Sequence, residues 1–404
     1  TSEIERDQVL SQENGRQLRR WGRFGLLYPC IMFVYFGTGG TKLWMADMDS
    51  QSGNITNVRA ACDASKPGFL ALHPTLPFLY TVEKSRAEGT EDHVSAYLID
   101  TTSGMLSFIN SQLSCGSNPT HLAVDPSGKS LLVAKYDGGS VTSFPIDAEG
   151  AILPAATTHI HKGSSTDPIR QTKPYVHGVC CLGDEARTVA VCDLGTDKIH
   201  LYELDGETSS LIVPSPSTTS QQWLDALPGS GPRHAVAHPN TEWLYVCMEM
   251  GNAVEFYGRG GSCSDSNGRW VRKQSISTLP PTEGGISLDG SRKVAEILLH
   301  PAGLHLYVSN RGYDSVAVYS IHPESGMLTL EGIPTLPSSV QEPRGMGLDS
   351  RGRFLLLCGQ ISNNVGVWTL DPGTGLPSSE GDMLIIPVPD APRCVVTMEA
   401  ASER

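Results

Sequence analysis

The sequence lacks the cysteine spacings that mark disulfide frameworks and zinc sites. Ten cysteines occur in 404 residues, but no two of them form a Cys-x-x-Cys pair. Cys192, Cys247 and Cys358 fall inside predicted strands, where cysteine packs as a small apolar side chain. We therefore predict a reduced, intracellular protein with no disulfide framework and no zinc site. We expect no cofactor, and the sequence leaves open whether a metal binds in the channel.

Positive charge is also scarce. Lysine and arginine number 30 against 43 aspartates and glutamates, which gives a net charge of −13. Nucleic acids and anionic membrane surfaces both attract proteins through a cationic face, so the charge balance argues against either partner. An anionic substrate would need a local cationic pocket on this acidic protein.

No apolar run approaches the roughly 18 residues that read as a membrane-spanning helix. Four arginines between residues 16 and 23 precede an apolar stretch over residues 26–36, as in a signal peptide, but no small-residue cleavage site follows. The stretch also continues into strands that the fold needs. We therefore predict a basic, flexible extension over residues 1–28, a folded domain over residues 29–404 and a cytoplasmic location.

Glycine, proline and internal repetition are abundant. With 42 Gly and 27 Pro, the chain is expected to turn often. Residues 231–257 (GPRHAVAHPNTEWLYVCMEMGNAVEFY) have the pattern of strand, turn, strand, turn and strand, and copies recur 49 to 62 residues apart. The six copies begin at Pro67, Pro119, Pro174, Pro232, Val294 and Pro343.

Each copy has the pattern of a β-propeller blade. A short apolar strand, a Pro–Gly turn, a second apolar strand and an alternating third strand are followed by a fourth segment after a glycine turn, and four strands at this period are typical of propellers. Residues 392–398 form a lone first strand, and residues 33–49 form second and third strands. The sequence therefore predicts an all-β, seven-bladed β-propeller of four-stranded blades, closed by its N- and C-terminal strands.

The repeat also predicts which side chains meet at one mouth of the central channel. First and second strands are antiparallel, so the start of the first and the end of the second lie on the same rim. The residues that end the second strands are Lys84, Tyr136, Asp193, Glu249, Arg311 and Gln360. The residues that follow the opening prolines are Tyr175, Arg233, Arg344 and Arg393, with His177 two positions beyond Tyr175.

This ring of residues has two interpretations. Polar residues are expected on any solvated rim, and Asp193 with Asp197 also fits a turn held by local side-chain hydrogen bonds. A structural requirement would repeat one residue type, whereas here the type changes from blade to blade, which indicates a pocket. Converging arginines favour a small anionic ligand, because guanidinium binds carboxylate and phosphate with two parallel hydrogen bonds.

Several motifs resemble those of the seven-bladed propeller lactonases, a family that includes bacterial-type 6-phosphogluconolactonases and fungal 3-carboxy-cis,cis-muconate cyclases. The resemblance covers about residues 30–400. Its carriers are Arg170-Gln171, DLGTD at 193–197, GPRHAVAHP at 231–239, the Glu249 position, SNRGYDSVAVY at 309–319 and EPRG at 342–345. It implies that the catalytic set is His177, Arg233, Glu249 and Arg311. One departure is Tyr175, where the family often has histidine.

The resemblance implies cofactor-independent hydrolysis of a sugar lactone, with 6-phosphogluconolactone as the first choice and water as the nucleophile. The expected substrate-binding residues are Lys84, Tyr136, Asp193, Arg344 and Gln360. Either Glu249 or His177 is the expected base, unless Glu249 only orders the arginines through ion pairs. The alternatives are the muconate cyclase reaction and a non-catalytic propeller that binds proteins through aromatic residues on its rim.

Two further expectations concern the rim. Because rim residues are usually exposed, Arg311→Ala and Glu249→Gln are expected to abolish turnover while changing the free energy of unfolding by no more than about 1 kcal/mol. The histidines His161, His238 and His300 are placed in turns or loops and are given no role.

Overall fold

The computed structural model describes residues 31–85, 91–183, 187–215, 221–259, 269–281, 290–378 and 383–400. Within these ranges the chain forms 29 β-strands and no α-helix, and a search of them finds no helix that could span a membrane. The predicted flexible extension over residues 1–28 lies outside the described residues.

The strands form seven antiparallel sheets, which are the blades of the propeller. Blade 1 contains β29 (Cys394–Glu399), β1 (Ile31–Gly37), β2 (Lys42–Asp49) and β3 (Ile55–Asp63). Blade 2 contains β4 (Pro67–Leu72), β5 (Phe78–Glu83), β6 (His93–Ile99) and β7 (Leu106–Leu113). Blade 3 contains β8 (Pro119–Val124), β9 (Ser130–Lys135), β10 (Ser140–Pro145) and β11 (Thr157–Ile160).

The remaining blades follow the same order, from innermost to outermost strand. Blade 4 contains β12 (Val176–Leu182), β13 (Thr188–Asp193) and β14 (Lys198–Leu204), and both β15 (Leu211–Ile212) and β16 (Trp223–Asp225) pair with β14. Blade 5 contains β17 (Pro232–Ala237), β18 (Trp243–Met248), β19 (Ala253–Arg259) and β20 (Trp270–Ser277). Blade 6 contains β21 (Lys293–Leu299), β22 (His305–Arg311), β23 (Ser315–Ile321) and β24 (Leu328–Gly332). Blade 7 contains β25 (Pro343–Leu348), β26 (Phe354–Gly359), β27 (Asn364–Thr369) and β28 (Leu384–Pro387).

Blade 1 joins the two ends of the described chain. The C-terminal strand β29 is innermost and pairs with β1, so that Cys394 lies opposite Gly37 and Glu399 lies opposite Met32. Pairing of this kind closes the ring and removes the open sheet edge that would otherwise be available for aggregation. The predicted seven-bladed propeller, closed by strands from both ends, is confirmed.

The apolar core lies between neighbouring blades. One cluster, for example, packs Val34 and Phe36 of blade 1 against Leu356 and Val367 of blade 7. Tyrosines reinforce these contacts, as where the Tyr35 hydroxyl donates a 2.7 Å hydrogen bond to a glycine carbonyl in the next blade. This packing gives the ring a fixed frame from which the innermost strands present side chains to the channel.

Six of the seven innermost strands carry an irregularity in register at their first residues. A β-bulge of this kind adds an unpaired residue and turns its side chain in a new direction. The residues at the six irregularities are Gly68, Thr120, His177, Arg233, Ala295 with Glu296, and Arg344. Except at Gly68, the bulges therefore account for how a predominantly apolar strand presents a polar residue to the mouth of the channel.

The observed register corrects the alignment of blade 4. Val176, rather than Pro174, lies opposite Asp193, just as Pro232 lies opposite Met248. The counterpart of Glu249 in blade 4 is therefore Leu194, one residue beyond Asp193. Asp193 is instead equivalent to Met248, and both are fully buried within their blades.

Candidate active site

Glu249 lies at the centre of a cluster of three arginines from three parts of the ring. Its Oε1 accepts a 2.6 Å hydrogen bond from Arg170 Nη2, in the loop between β11 and β12. Its Oε2 accepts a 3.1 Å hydrogen bond from Nε of Arg233, the bulged residue of β17, and lies 3.2 Å from Nη2 of Arg311, the last residue of β22. One carboxylate thus holds three guanidinium groups at the channel mouth.

The charge of this cluster sets the protonation of Glu249. Burial alone would raise the pKa of the Glu249 carboxyl, but the positive charges of Arg311, Arg233 and Arg170 outweigh burial and hold the pKa well below its ordinary value. Glu249 is therefore ionised at neutral pH, and a carboxylate with so low a pKa is a weak base. In the unliganded protein the geometry favours Glu249 as the group that orders the arginines.

His177 is the other candidate base. It is the bulged residue of β12, and its Nε2 lies 4.0 Å from Glu249 Oε2. Burial, together with the charge of Arg233, lowers the pKa of the His177 imidazole well below its ordinary value, so the ring is neutral. Its Nδ1 is buried without a hydrogen-bond partner among the described residues. A neutral imidazole has one acceptor nitrogen, which is the group needed to take a proton from water.

The expectation that these residues are exposed is wrong. Glu249 is only 5% exposed and Arg311 only 9%, and Arg170 contacts Glu249 from the loop between β11 and β12. Removing one partner from a buried ion pair leaves an uncompensated charge and typically lowers stability by about 3–5 kcal/mol. Substitutions in this cluster are therefore expected to affect folding as well as turnover.

A local turn positions Arg170. Oδ1 of Asp167 accepts hydrogen bonds from the backbone N of Ile169 at 2.8 Å and of Arg170 at 2.7 Å. Gln171 anchors the loop by donating from Nε2 to the carbonyl oxygen of Leu194 at 2.9 Å. These contacts direct the Arg170 guanidinium towards Glu249, and it also donates to the hydroxyl of Tyr136 at 3.4 Å.

A second group of cations lines the cleft beside this cluster. Lys84, Arg344 and Arg393 share with Arg233 a cleft of about 380 Å³, including its opening. Of the described residues that line the cleft, Glu296 is the one acid, and it accepts a 2.7 Å hydrogen bond from His234 Nδ1 when that nitrogen is protonated. Among the described residues, no ion pair joins Lys84, Arg344 or Arg393 to a carboxylate.

The pKa values reflect this excess of positive charge in the cleft. Burial, together with the charges of Arg233 and Arg311, lowers the pKa of Arg344 to about 9. Burial and the charges of Arg393 and Arg344 also lower the pKa of the Lys84 ammonium. Among the described residues, the three arginines around Glu249 thus share an ion pair with a carboxylate, whereas these cleft cations make no such pair.

The other predicted residues are placed differently. Tyr136 stacks on Tyr175, with ring centroids 4.8 Å apart, and meets His177 edge to face. Gln360 lies partly exposed at the end of β26, in the position that corresponds to Glu249. Asp193 is absent from the mouth; its Oδ1 instead accepts hydrogen bonds from the backbone N of Tyr175 at 2.9 Å and of Gly195 at 3.0 Å.

Comparison with known proteins identifies the family. The family model of the 7-bladed β-propeller lactonases matches residues 33–397. The chain belongs to this family. A 6-phosphogluconolactonase from Bacillus subtilis is 30% identical over 349 residues, which cover 84% of this chain and 92% of that protein. A second one, from Formosa agariphila, is 31% identical over 341 residues, with 83% and 90% covered.

A solved structure supports the same family. The structure of a periplasmic gluconolactonase from Pseudomonas aeruginosa matches this lactonase with a TM-score of 0.80 and 25% sequence identity, and the match covers 92% of this chain and all of that one. The resemblance predicted from the motifs is therefore confirmed, and so is the prediction of a lactonase-type hydrolase.

Several residues of the candidate site have no role predicted from the sequence. Arg170 was noticed only as part of a motif, because it lies in a loop outside the repeat. His234 and Glu296 line the cleft, and His121 contacts His234 with ring centroids 4.4 Å apart. His121 and His234 stand two residues after their opening prolines, so extending the repeat count by one position would have found both.

Proposed function

We propose that this lactonase hydrolyses 6-phosphogluconolactone with water as the nucleophile and no cofactor. The observation that carries this proposal is the cationic cleft beside Glu249. Lys84, Arg344 and Arg393 lie together in this cleft, in a protein of net charge −13, and no carboxylate of the described residues forms an ion pair with them. A phosphate group supplies the negative charge that they lack. The relatives from Bacillus subtilis and Formosa agariphila carry the same activity in their names.

In the proposed mechanism the sugar ring lies between the cleft and the Glu249 cluster. Arg233 and Arg311 stabilise the negative charge that develops on the lactone carbonyl oxygen. His177 accepts a proton as water attacks the carbonyl carbon, and the ring C–O bond then breaks as the same proton passes to the departing ring oxygen. Glu249 keeps the arginines in place throughout.

Binding residues surround this centre. Tyr136 and Gln360, at the ends of β9 and β26, are proposed to contact the sugar hydroxyls. Asp193 is proposed to act indirectly, because its hydrogen bond to the backbone of Tyr175 fixes the ring that stacks on Tyr136.

We also propose a cytoplasmic location, where the eight described cysteines, all unpaired, would remain reduced.

The first experiment assays the purified chain with three substrates and compares their rates. We expect 6-phosphogluconolactone to be hydrolysed well above its spontaneous rate, with kcat/KM at least about tenfold higher than for unphosphorylated gluconolactone. Equal values for the two lactones would reject the phosphate assignment and keep the hydrolase. Turnover of 3-carboxy-cis,cis-muconate alone would identify a cyclase. If none of the three is turned over, the substrate is another lactone or the protein has a binding role.

The lowered pKa of Arg344 predicts a pH dependence of product binding. Below about pH 9 this guanidinium is charged and attracts the phosphate of 6-phosphogluconate. As pH rises through about 9 the free protein loses that proton, so the association constant is expected to fall, approaching tenfold per pH unit. Isothermal titration calorimetry between pH 7.5 and 10 measures this slope. An association constant that stays level over the range contradicts the placement of the phosphate beside Arg344.

A further inference from the structure

A second cluster of polar side chains lies in blade 4, outside the Glu249 cluster. His161 was expected in a loop without a role, but it is buried directly after β11, and its Nδ1 lies 2.9 Å from Asp193 Oδ2. The ring of His200, on β14, lies 3.9 Å from that of His161. One nitrogen or oxygen from each of the three residues lies within 4.8 Å of the other two.

The surrounding contacts hold these side chains in the orientation that metal ligands require. His161 directs Nδ1 to Asp193 and Nε2 to the hydroxyl of Tyr202, at 3.0 Å. Asp193 uses Oδ1 for two backbone N–H groups, which leaves Oδ2 for the cluster. Hydrogen bonds from the outer atoms of ligands to their neighbours are characteristic of metal centres, because they fix the tautomer and the ring orientation.

His200 provides an independent sign of a missing ligand. Its Nε2 is buried without a hydrogen-bond partner among the described residues. An unsatisfied buried nitrogen is unfavourable and therefore rare in native proteins. The ammonium of the nearby Lys198 lies against the face of the Trp223 ring, with Nζ 4.0 Å from the ring centroid.

We propose that His161, Asp193 and His200 bind one divalent cation of the zinc type. Two imidazoles and one carboxylate suit Zn²⁺ and its first-row neighbours, whereas Mg²⁺ and Ca²⁺ prefer all-oxygen sites. The ion replaces the hydrogen bond between His161 and Asp193, and His161 keeps its proton on Nε2 for Tyr202. The expectation of no zinc site considered cysteine spacing and so did not address a site built from histidine and aspartate.

The position of this site gives the ion a structural role. Asp193 connects the cluster to the backbone of Tyr175, and Tyr175 stacks on Tyr136 at the mouth. The Glu249 cluster contains none of the three ligands, so the ion supplies no group to the reacting atoms. Metal binding is therefore expected to stabilise blade 4 and to order the Tyr175 side of the mouth.

The test uses the full chain after treatment with a chelator and then titrates Zn²⁺ and Co²⁺. We expect one ion per chain, a rise in Tm on adding Zn²⁺, and visible absorption from bound Co²⁺. His200→Ala should weaken binding at least about 100-fold and abolish the Tm rise, and Tyr202→Phe, which spares all three ligands, should weaken it about tenfold. The control His159→Ala removes a neighbouring histidine that stacks on Tyr202 and should bind normally.

Two outcomes would overturn the site. Binding that is absent in the chelated wild-type chain, or that is equally strong in His200→Ala, would show that these residues do not form a metal centre. If His200→Ala fails to fold, Tyr202→Phe decides, because its affinity for Zn²⁺ falls only if His161 is a ligand. Both measurements are independent of lactone hydrolysis.

Discussion

Replacing Glu249 by glutamine is expected to lower kcat/KM for the lactone by about 100- to 1,000-fold, the range seen when a group that stabilises the developing oxyanion is lost. The substitution keeps the shape of the side chain but removes the charge that Arg170, Arg233 and Arg311 share. The three guanidinium groups then repel one another, and Arg233 and Arg311 no longer remain where the carbonyl oxygen needs them. Steady-state kinetics at a temperature where the variant is folded measures the effect.

The same substitution is expected to destabilise the fold. It leaves buried arginines without their counter-ion, and the typical loss for a broken buried pair is about 3–5 kcal/mol. Urea denaturation of the wild type and of the variant gives this difference in the free energy of unfolding. A loss of activity is therefore informative only beside a variant of similar stability.

Glu255→Gln provides that control. Glu255 lies in the same blade, on β19, and is fully buried. It accepts hydrogen bonds from the Tyr257 hydroxyl at 2.5 Å and from the backbone N of Leu227 at 3.0 Å, and it lies 3.5 Å from Arg272 Nη1. We expect Glu255→Gln to lower stability and leave kcat/KM unchanged. Unchanged kcat/KM in Glu249→Gln as well would make the arginine cluster a structural feature only.

The fold could be predicted from the sequence because it depends on a period. Each blade repeats the same order of strands and turns, and the partial copies at residues 33–49 and 392–398 complete the ring. The strand register within a blade could be predicted less accurately than the fold. In blade 4 the proline precedes the strand by two residues, so the count from Pro174 selected Asp193, whereas the observed pairing selects Leu194.

The site could be predicted only where the repeat supplies its residues. Arg233, Glu249 and Arg311 occupy repeated positions, and their convergence followed from strand geometry. Arg170 comes from the loop between β11 and β12, outside the strands that the repeat aligns. Burial was also invisible in the sequence, because a residue at the end of a strand is exposed or covered according to what another segment does. In this structure the loop that carries Arg170 contacts Glu249.

Which cations form an ion pair with a carboxylate, and which do not, is likewise a three-dimensional property. The sequence shows arginines and a lysine at similar positions in several blades and cannot say which of them share a carboxylate. Within the described part of the chain, Glu249 pairs with one group of arginines, whereas no ion pair joins Lys84, Arg344 or Arg393 to a carboxylate. In the proposed function, that separation assigns one part of the mouth to the reacting carbonyl and another to the phosphate.

Arg344→Met tests this division directly. Hydrogen bonds to charged groups contribute about 1.5–3 kcal/mol, so kcat/KM for 6-phosphogluconolactone is expected to fall about 10- to 150-fold. For unphosphorylated gluconolactone we expect a change of less than about threefold, because that substrate has no group to place beside Arg344. Kinetics with both lactones on the same preparation measure the ratio.

In Arg344→Met, thermal stability is expected to rise although activity falls. Burial disfavours the charged form of Arg344, and repulsion from Arg233 and Arg311 adds to that effect, which is why its pKa lies near 9. An uncharged methionine removes the repulsion, so Tm at pH 7.5 is expected to rise. The lowered pKa means that the wild-type protein gains stability as Arg344 loses its proton. The difference in Tm between the variant and the wild type should therefore shrink above pH 9.

Arg351→Met is the matched control for Arg344→Met. Arg351 is exposed in the turn between β25 and β26, at the other end of the same strand pair. Its loss changes the net charge equally and should leave both lactones unaffected. If Arg344→Met lowered kcat/KM equally for both lactones, Arg344 would act on the reacting carbonyl. If it lowered neither, the phosphate would have to bind elsewhere, and the unbalanced charge of the cleft would need another anion.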